Sequence, residues 1–187
     1  MGMPQPIGSW TVVQVLELPE DGNRYEVVDG ELLVTPAPAL PHQEAVQALS
    51  RRIHPFVEAH RIGRVLLSPA DIELDQRTLV QPDLFVAPLV EGRRPRSWRE
   101  IRTLLLAVEV LSPSTARADR QVKRRRYQRH GVPEYWIVDL DARLVERWRP
   151  ADDRPEILAE RLEWRAVPEA PPLEIDLGEY FSEVLDE

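Results

Sequence analysis

Three short apolar runs stand out along the chain: Leu79–Ala87 (LVQPDLFVA), Leu104–Leu111 (LLLAVEVL) and Glu134–Asp139 (EYWIVD). Runs of this length, bounded by Pro, Ser or Gly, read as strands buried on both faces. Two of them carry a carboxylate in their midst, Asp83 and Glu109. Such a group is costly inside a core strand unless it is paired or ligates a metal. Elsewhere the pattern is helical. From His42 to about Arg61, apolar positions at Ala45, Leu49, Ile53, Phe56 and Val57 recur at steps of three or four, with Arg51 and Arg52 off that face. Pro55 predicts a kink or an early end there, and Gly63 a helix stop. A second helix is expected from Ala116 to about His130, capped by Ser114 or Thr115 and closed by Gly131. Val122 and Tyr127 are nearly its only apolar anchors, so a broad face of it is wet or bound to something.

The remaining signals fill in around these. Ser9 is placed to cap a short helix, TVVQVLEL, that stops at Pro19. Tyr25–Val28 and Glu31–Thr35 flank Asp29-Gly30, a strong hairpin signal. Strands are expected over Arg64–Leu74, Thr78–Ala87, Thr103–Leu111, Leu144–Trp148, Ile157–Trp164 and Leu173–Asp176, with a terminal helix over Glu179–Leu185. The core order is helix, strand, strand, strand, helix, strand. The connection from Leu111 through a helix to Glu134 implies a parallel pair. The expected class is α/β with a mixed central sheet in one domain over residues 1–187. An N-terminal helix and hairpin (1–41), a core (42–140) and a C-terminal strand and helix extension (141–187) divide it.

Composition narrows the function. No apolar run approaches the length of a bilayer span, and MGMPQPIGSW lacks the features of a secretory signal, so a cytoplasmic protein with no membrane partner is expected. The absence of cysteine excludes disulfides and thiolate chemistry. The net charge of -8 hides a segregation: Arg93 to His130 holds 12 Lys and Arg against 3 acids, so one surface can attract phosphate while the molecule stays acidic. The bland reading of that run is a solvated face. Of the 24 basic residues, Lys123 alone is a lysine, which marks a position where the always-protonated, forked guanidinium does not serve.

Asp83 and Glu109 fall near where adjacent strands leave the core. Two such carboxylates can share a hard cation with water and phosphate oxygens. Asp119, Lys123 and Tyr127 recur at steps of four and share one helical face. If that face turns to the carboxylates, Lys123 can orient a water or stabilise developing phosphorane charge. Structural alternatives stand beside this: Asp83 as a turn residue after Pro82, Glu109 paired with Arg102 or another Arg, Lys123 as a solvated helix residue. Ser112 lacks the glycine-flanked elbow of a serine hydrolase, and the four His show no zinc spacing.

An ordered set of motifs runs through residues 10 to 150: Tyr25-Glu26 with Asp29-Gly30-Glu31, His42 after a Pro-rich loop, Pro82-Asp83, Glu109-Val110-Leu111-Ser112-Pro113, Asp119, Lys123, Tyr127, Gly131-Val132, and Glu134-Tyr135-Trp136 with Asp139. This set resembles the PD-(D/E)XK nuclease superfamily and, more narrowly, the Uma-type family of restriction-endonuclease-like proteins. The resemblance implies a restriction-endonuclease-like αβββαβ core and a Mg²⁺- or Mn²⁺-dependent endonuclease acting on DNA. It implies Asp83, Glu109 and Lys123 as catalytic residues, with Asp83, Glu109 and the Val110 carbonyl on the metal. Where the superfamily motif calls for Lys two residues after Glu109, this chain has Leu111; in the narrower family that Lys moves to the next helix, where Lys123 lies. Glu26, Glu31, His42 and Glu44 are possible additional site residues. Arg93, Arg94, Arg96, Arg117, Arg120, Arg124 and Arg125 are the expected phosphate contacts, and cutting both strands of a duplex implies a homodimer. The other readings are a catalytically inactive DNA-binding or regulatory protein on the same fold, and a hydrolase of a small phosphoester.

Overall fold

The computed structural model describes residues 10–186. The cap expected at Ser9 lies outside them; within them Thr11 caps α1 (Val12–Leu16), its hydroxyl accepting from the Gln14 N–H while the Gln14 side chain accepts from the Thr11 N–H. The hairpin of β1 (Arg24–Val28) and β2 (Glu31–Thr35) turns at Asp29 and Gly30, both at positive φ (53° and 85°), as a tight two-residue turn requires.

The first long helix, α2 (Leu40–Ala59), continues past Pro55 without ending there. Burial of Ala45, Leu49, Ile53 and Val57 on one face outweighs the single hydrogen bond that the proline removes. Its stop is not Gly63. Arg61 takes the left-handed position (φ 52°), the Arg61 N–H donates to Glu58 and the Ile62 N–H to Val57, which closes the last turn four residues earlier. Gly63 instead opens β3 (Gly63–Leu67), where a Cβ would lie 2.0 Å from the Ala87 carbonyl oxygen.

Three expected strands are each divided between sheets, one of them Ile157–Trp164, which breaks at Ala159-Glu160. Arg64–Leu74 breaks at Ser68-Pro69 into β3 and β4 (Ile72–Asp75). Thr78–Ala87 breaks at Gln81-Pro82-Asp83 into β5 (Thr78–Val80) and β6 (Leu84–Pro88). The pair β4–β5 joins the N-terminal hairpin in a four-stranded antiparallel sheet ordered β2-β1-β5-β4. Strand β6 joins a six-stranded mixed sheet with β3, β7 (Leu106–Val110), β8 (Glu134–Asp139), β9 (Leu144–Trp148) and β10 (Glu156–Leu158), ordered β10-β9-β8-β7-β6-β3. Among the described residues only β7 and β8 run parallel, joined across the expected helix. The αβββαβ order is therefore present as α2, β3, β6, β7, helix, β8, with β4 and β5 inserted as an excursion into the smaller sheet.

The apolar runs follow from this layering. Leu84, Val86, Leu106, Val108 and Trp136 face α2 and the C-terminal α4 (Leu177–Leu185). Phe85, Ala87, Ala107, Tyr135 and Ile137, alternating with them, face Val28, Ile72 and Val80 of the smaller sheet and Tyr127 of the crossover helix. Both faces are covered, so the strands have no polar alternation. The C-terminal segment adds β11 (Arg161–Trp164), β12 (Leu173–Asp176) and α4, which packs on α2 with Tyr180 donating to the Ala45 carbonyl. No helix among the described residues is long and apolar enough to cross a membrane.

The close approach at Gly63 sets a test of this packing. Gly63→Ala pushes a methyl into the β6 backbone and is expected to lower stability by about 3 kcal/mol, read as a reduced urea midpoint with unchanged slope.

Candidate active site

The break between β5 and β6 carries the backbone from the smaller sheet to the larger one, and Asp83 sits on that crossing. Pro82 has no N–H to give to either ladder, and the Ser68 hydroxyl secures the turn by donating to the Gln81 and Pro82 carbonyls. Both Asp83 oxygens are occupied. Arg24 Nη1 donates to Oδ1 at 2.7 Å; the Val110 N–H and His42 Nε2 meet Oδ2 at 2.9 and 3.0 Å. Burial pushes this carboxyl up, but His42, Arg24 and the Val110 N–H outweigh it and hold it down at about 2.

Glu109 enters from β7 on the face opposite α2. Above it, the crossover helix does not run as one α-helix. Residues Ala118–Lys123 form a π-helical turn, with the Arg124 N–H donating to the Asp119 carbonyl, before α3 (Arg124–Arg129) resumes the α pitch. The Asp119 carbonyl also accepts from Tyr135 Oη at 3.2 Å. Neither Ser114 nor Thr115 caps this helix through its side chain as expected; Thr115 Oγ1 is turned back to the Ser112 N–H. Only Asp119 and Lys123 are buried in the π turn, and both point into the site. π turns of this kind recur at functional sites.

Lys123 Nζ lies 2.8 Å from Glu26 Oε2, 3.0 Å from Glu109 Oε1 and 3.4 Å from Asp119 Oδ1, with every one of these side chains at most 3% exposed. Tyr127 Oη adds a 3.4 Å contact to Glu109 Oε1, and the Gln81 N–H holds Glu26 Oε1 at 2.7 Å. Burial pushes the Glu109 carboxyl well above the usual carboxylate range, Lys123 pulls it back, and Asp119, Asp83 and Glu26 push it further up. Asp119 is raised for the same reason. Burial disfavours the Lys123 ammonium, but the surrounding Glu109, Glu26 and Asp119 hold its proton well above the ordinary lysine value.

Of the residues singled out from sequence, Glu26, His42, Asp83, Glu109, Val110 and Lys123 converge here. Glu31 and Glu44 are exposed and outside the cluster. Arg24 and Asp119 join the cluster without having been placed in the site from sequence. Asp119 had a signal in its four-residue spacing from Lys123; Arg24 had none. The cluster opens on a cleft of about 700 Å³ between the Pro36–Ala39 loop with the start of α2 and the Leu111–Thr115 loop, with Arg120 on its wall. Several of the expected phosphate contacts are already engaged: Arg93 with Glu100, Arg94 with Glu58, Arg120 with Asp139 and Glu146, and Arg124 over the Trp148 ring. Arg96, Arg117 and Arg125 carry no ion pair among the described residues.

The donor set suits a hard divalent cation in its chemistry, being carboxylates and strand carbonyls. Three acids around Lys123 face one ammonium, an excess of two negative charges when all are ionised, and Glu26 Oε2 and Asp119 Oδ1 are buried with no hydrogen-bonding partner besides that ammonium. The described residues do not present three ligating side chains already arranged for a metal, and Arg24 and His42 occupy Asp83.

Two pH-dependent outcomes follow. Removing the ammonium in Lys123→Met leaves three buried acids unopposed and is expected to cost about 3–5 kcal/mol at pH 7.5. Because Glu109 and Asp119 then titrate above their unfolded values, the folded form binds the extra protons, and lowering the pH to 5.5 restores part of the loss in urea titrations. Asp83 has the opposite sign: its contribution is present above 3.8 and is lost as pH falls toward about 2, so Asp83→Asn is expected to remove about 2 kcal/mol of acid sensitivity in that window.

Comparisons with known proteins agree with this architecture. No curated protein matches the chain. The crystal structure of a "putative nuclease belonging to DUF820" from Anabaena variabilis ATCC 29413 superposes with a TM-score of 0.76 at 20% identity, covering 94% of this chain and 99% of that one. A likeness at that identity speaks for the fold. The family model Uma2, described as "Putative restriction endonuclease", matches residues 12–178, which include every member of the buried cluster. With the match spanning nearly the whole chain, the protein belongs to the Uma2 family.

Proposed function

We propose that this protein is a divalent-metal-dependent endonuclease that hydrolyses DNA phosphodiester bonds. The observation that carries the reading is the burial of one lysine among Glu26, Glu109 and Asp119, next to Asp83, at the floor of an open cleft. A structural core has little reason to hold four acids and one lysine at this depth, since well-packed apolar residues would be at least as stable. The family description and the nuclease name of the structural neighbour support the same reading.

In this reading Asp83, Glu109 and the Val110 carbonyl hold Mg²⁺ or Mn²⁺. Val110 belongs at the site because its N–H already faces Asp83. Bound there, the cation supplies Lewis-acid polarisation of the phosphodiester and a lowered pKa for the attacking water. The part played by Lys123 follows from its protonation. With its proton held well above the ordinary lysine value, it donates hydrogen bonds, orienting the water and stabilising charge on the phosphoryl oxygens rather than acting as a base. Glu26 and Asp119 keep that ammonium charged and aimed. Arg96, Arg117 and Arg125, free of ion pairs among the described residues, supply salt-dependent phosphate contacts. Cleavage of both strands of a duplex calls for two copies in a homodimer.

Plasmid nicking in Mg²⁺ or Mn²⁺ tests the assignment. Asp83→Asn, Glu109→Gln and Lys123→Met, each checked for folding by circular dichroism, are expected to lose about a hundredfold or more in rate. Unchanged cutting by the Glu109→Gln protein would sink the reading. Duplex binding in a chelator, with no cleavage under any metal, would instead make the protein a non-catalytic DNA binder.

A further inference from the structure

Strand β1 sends two side chains of opposite charge to the site, Arg24 and Glu26, two positions apart and therefore on one face of the strand. Glu26 meets Lys123 and Arg24 meets Asp83, so β1 presents a counter-charge to each half of the site. The two contacts differ in kind. Glu26 is 1% exposed, and its other oxygen is held by the Gln81 N–H. Arg24 is 17% exposed on the cleft wall, with Asp83 Oδ1 and the Gln81 carbonyl (3.2 Å) as its partners.

The two oxygens of Asp83 are also unequal. Oδ2 accepts from the Val110 backbone, which the β6–β7 pairing fixes, and from His42. Among the described residues, Oδ1 has Arg24 alone. A cation that uses Asp83 must therefore take Oδ1, and Arg24 holds that place. We propose that Arg24 and the divalent cation are alternative occupants of Asp83 Oδ1, so that Arg24 is a positioning residue in the metal-free protein and is displaced into the cleft as a phosphate-binding group when metal enters. The inference rests on the metal-dependent reading above.

The displaced guanidinium has a clear destination. Among the cationic side chains on the cleft wall, Lys123 is buried with its acids and Arg120 keeps Asp139 and Glu146. Lys123 keeps Glu26 and Asp119 even when Glu109 turns to the metal, whereas the ion pair of Arg24 among the described residues is with Asp83 alone, so metal entry frees one positive charge beside the place where a phosphate must lie. A planar fork of donors suits phosphate, and its release would couple loading of the metal to binding of the substrate backbone. Until then the pair keeps Asp83 ionised and oriented.

The test is Mn²⁺ titration of the full chain at pH 7.5 without DNA, following free Mn²⁺ by electron paramagnetic resonance, on wild type, Arg24→Gln, Arg24→Lys and Asp83→Asn. Arg24→Gln is expected to bind Mn²⁺ about tenfold more tightly than wild type, the scale of one charge-assisted hydrogen bond, and to bind a duplex more weakly in non-cleaving Ca²⁺. Arg24→Lys keeps a cation on Asp83 and is expected to stay within about threefold of wild type. Equal or weaker Mn²⁺ binding by a cooperatively folded Arg24→Gln protein would show a purely structural contact and overturn the proposal. Should Arg24→Gln not fold, the Arg24 side-chain N–H resonance, assigned against Arg24→Lys, decides: it moves on Mg²⁺ addition if the latch is exchanged, and its constancy at saturating Mg²⁺ overturns the proposal. Mn²⁺ binding that survives Asp83→Asn in full would refute the metal site itself, and this inference with it.

Discussion

A single buried ammonium organises the centre of this protein. Lys123 is 2% exposed and sits between acids from three different parts of the chain: Glu26 of β1, Glu109 of β7 and Asp119 of its own helix. Taking four charges out of water is expensive, and their mutual attraction returns that energy only when all of them are in place. The cluster therefore ties together the smaller sheet, the larger sheet and the crossover helix, and leaves the site with more acid than base. That excess is a consequence of the arrangement and the reason the floor of the cleft suits a cation.

The surrounding structure keeps those three bodies in register. Breaking Thr78–Ala87 into β5 and β6 lets one stretch of chain serve both sheets and puts Asp83 at the crossing. On the outer side, Arg126 reaches Asp29 and Asp75 and Arg129 reaches Asp29, fastening α3 to the hairpin that carries Glu26 and Arg24. The π turn, fixed at the Asp119 carbonyl by Tyr135 Oη and the Arg124 N–H, brings Asp119 and Lys123 together inward. Much of the helix's positive charge is spent on these internal contacts. The segregated charge seen along the chain is thus only partly a surface for phosphate.

Much of this was legible from local pattern. Asp29-Gly30 marked a turn that needs positive φ at both residues, Gly131 marked a left-handed helix end, and continuous apolar runs marked strands covered on both faces. Errors fell where a tertiary contact overrides local preference. Pro55 does not stop α2 because the apolar face around it is buried, and Arg61 rather than a glycine takes the left-handed cap. In the site, Asp83, Glu109 and Lys123 were conspicuous because acids inside apolar runs and one lysine among 23 arginines break a pattern. Arg24 breaks none: it is one of those arginines, beside an ordinary hairpin.

The sequence by itself therefore determined the classes of element, their order, the parallel crossover and the identity of the costly charges, because these depend on periodicity, turn chemistry and the penalty for burying a carboxylate. Which charge meets which was decided only by the tertiary structure. Glu26 and Glu31 lie on the same hairpin, and His42 and Glu44 on the same helix turn, yet one of each pair reaches the site and the other faces solvent. That selection depends on strand register, on the π turn in the crossover helix and on the division of one apolar run between two sheets. Each is settled by packing between segments distant in the chain, where nearest-neighbour patterns carry no information.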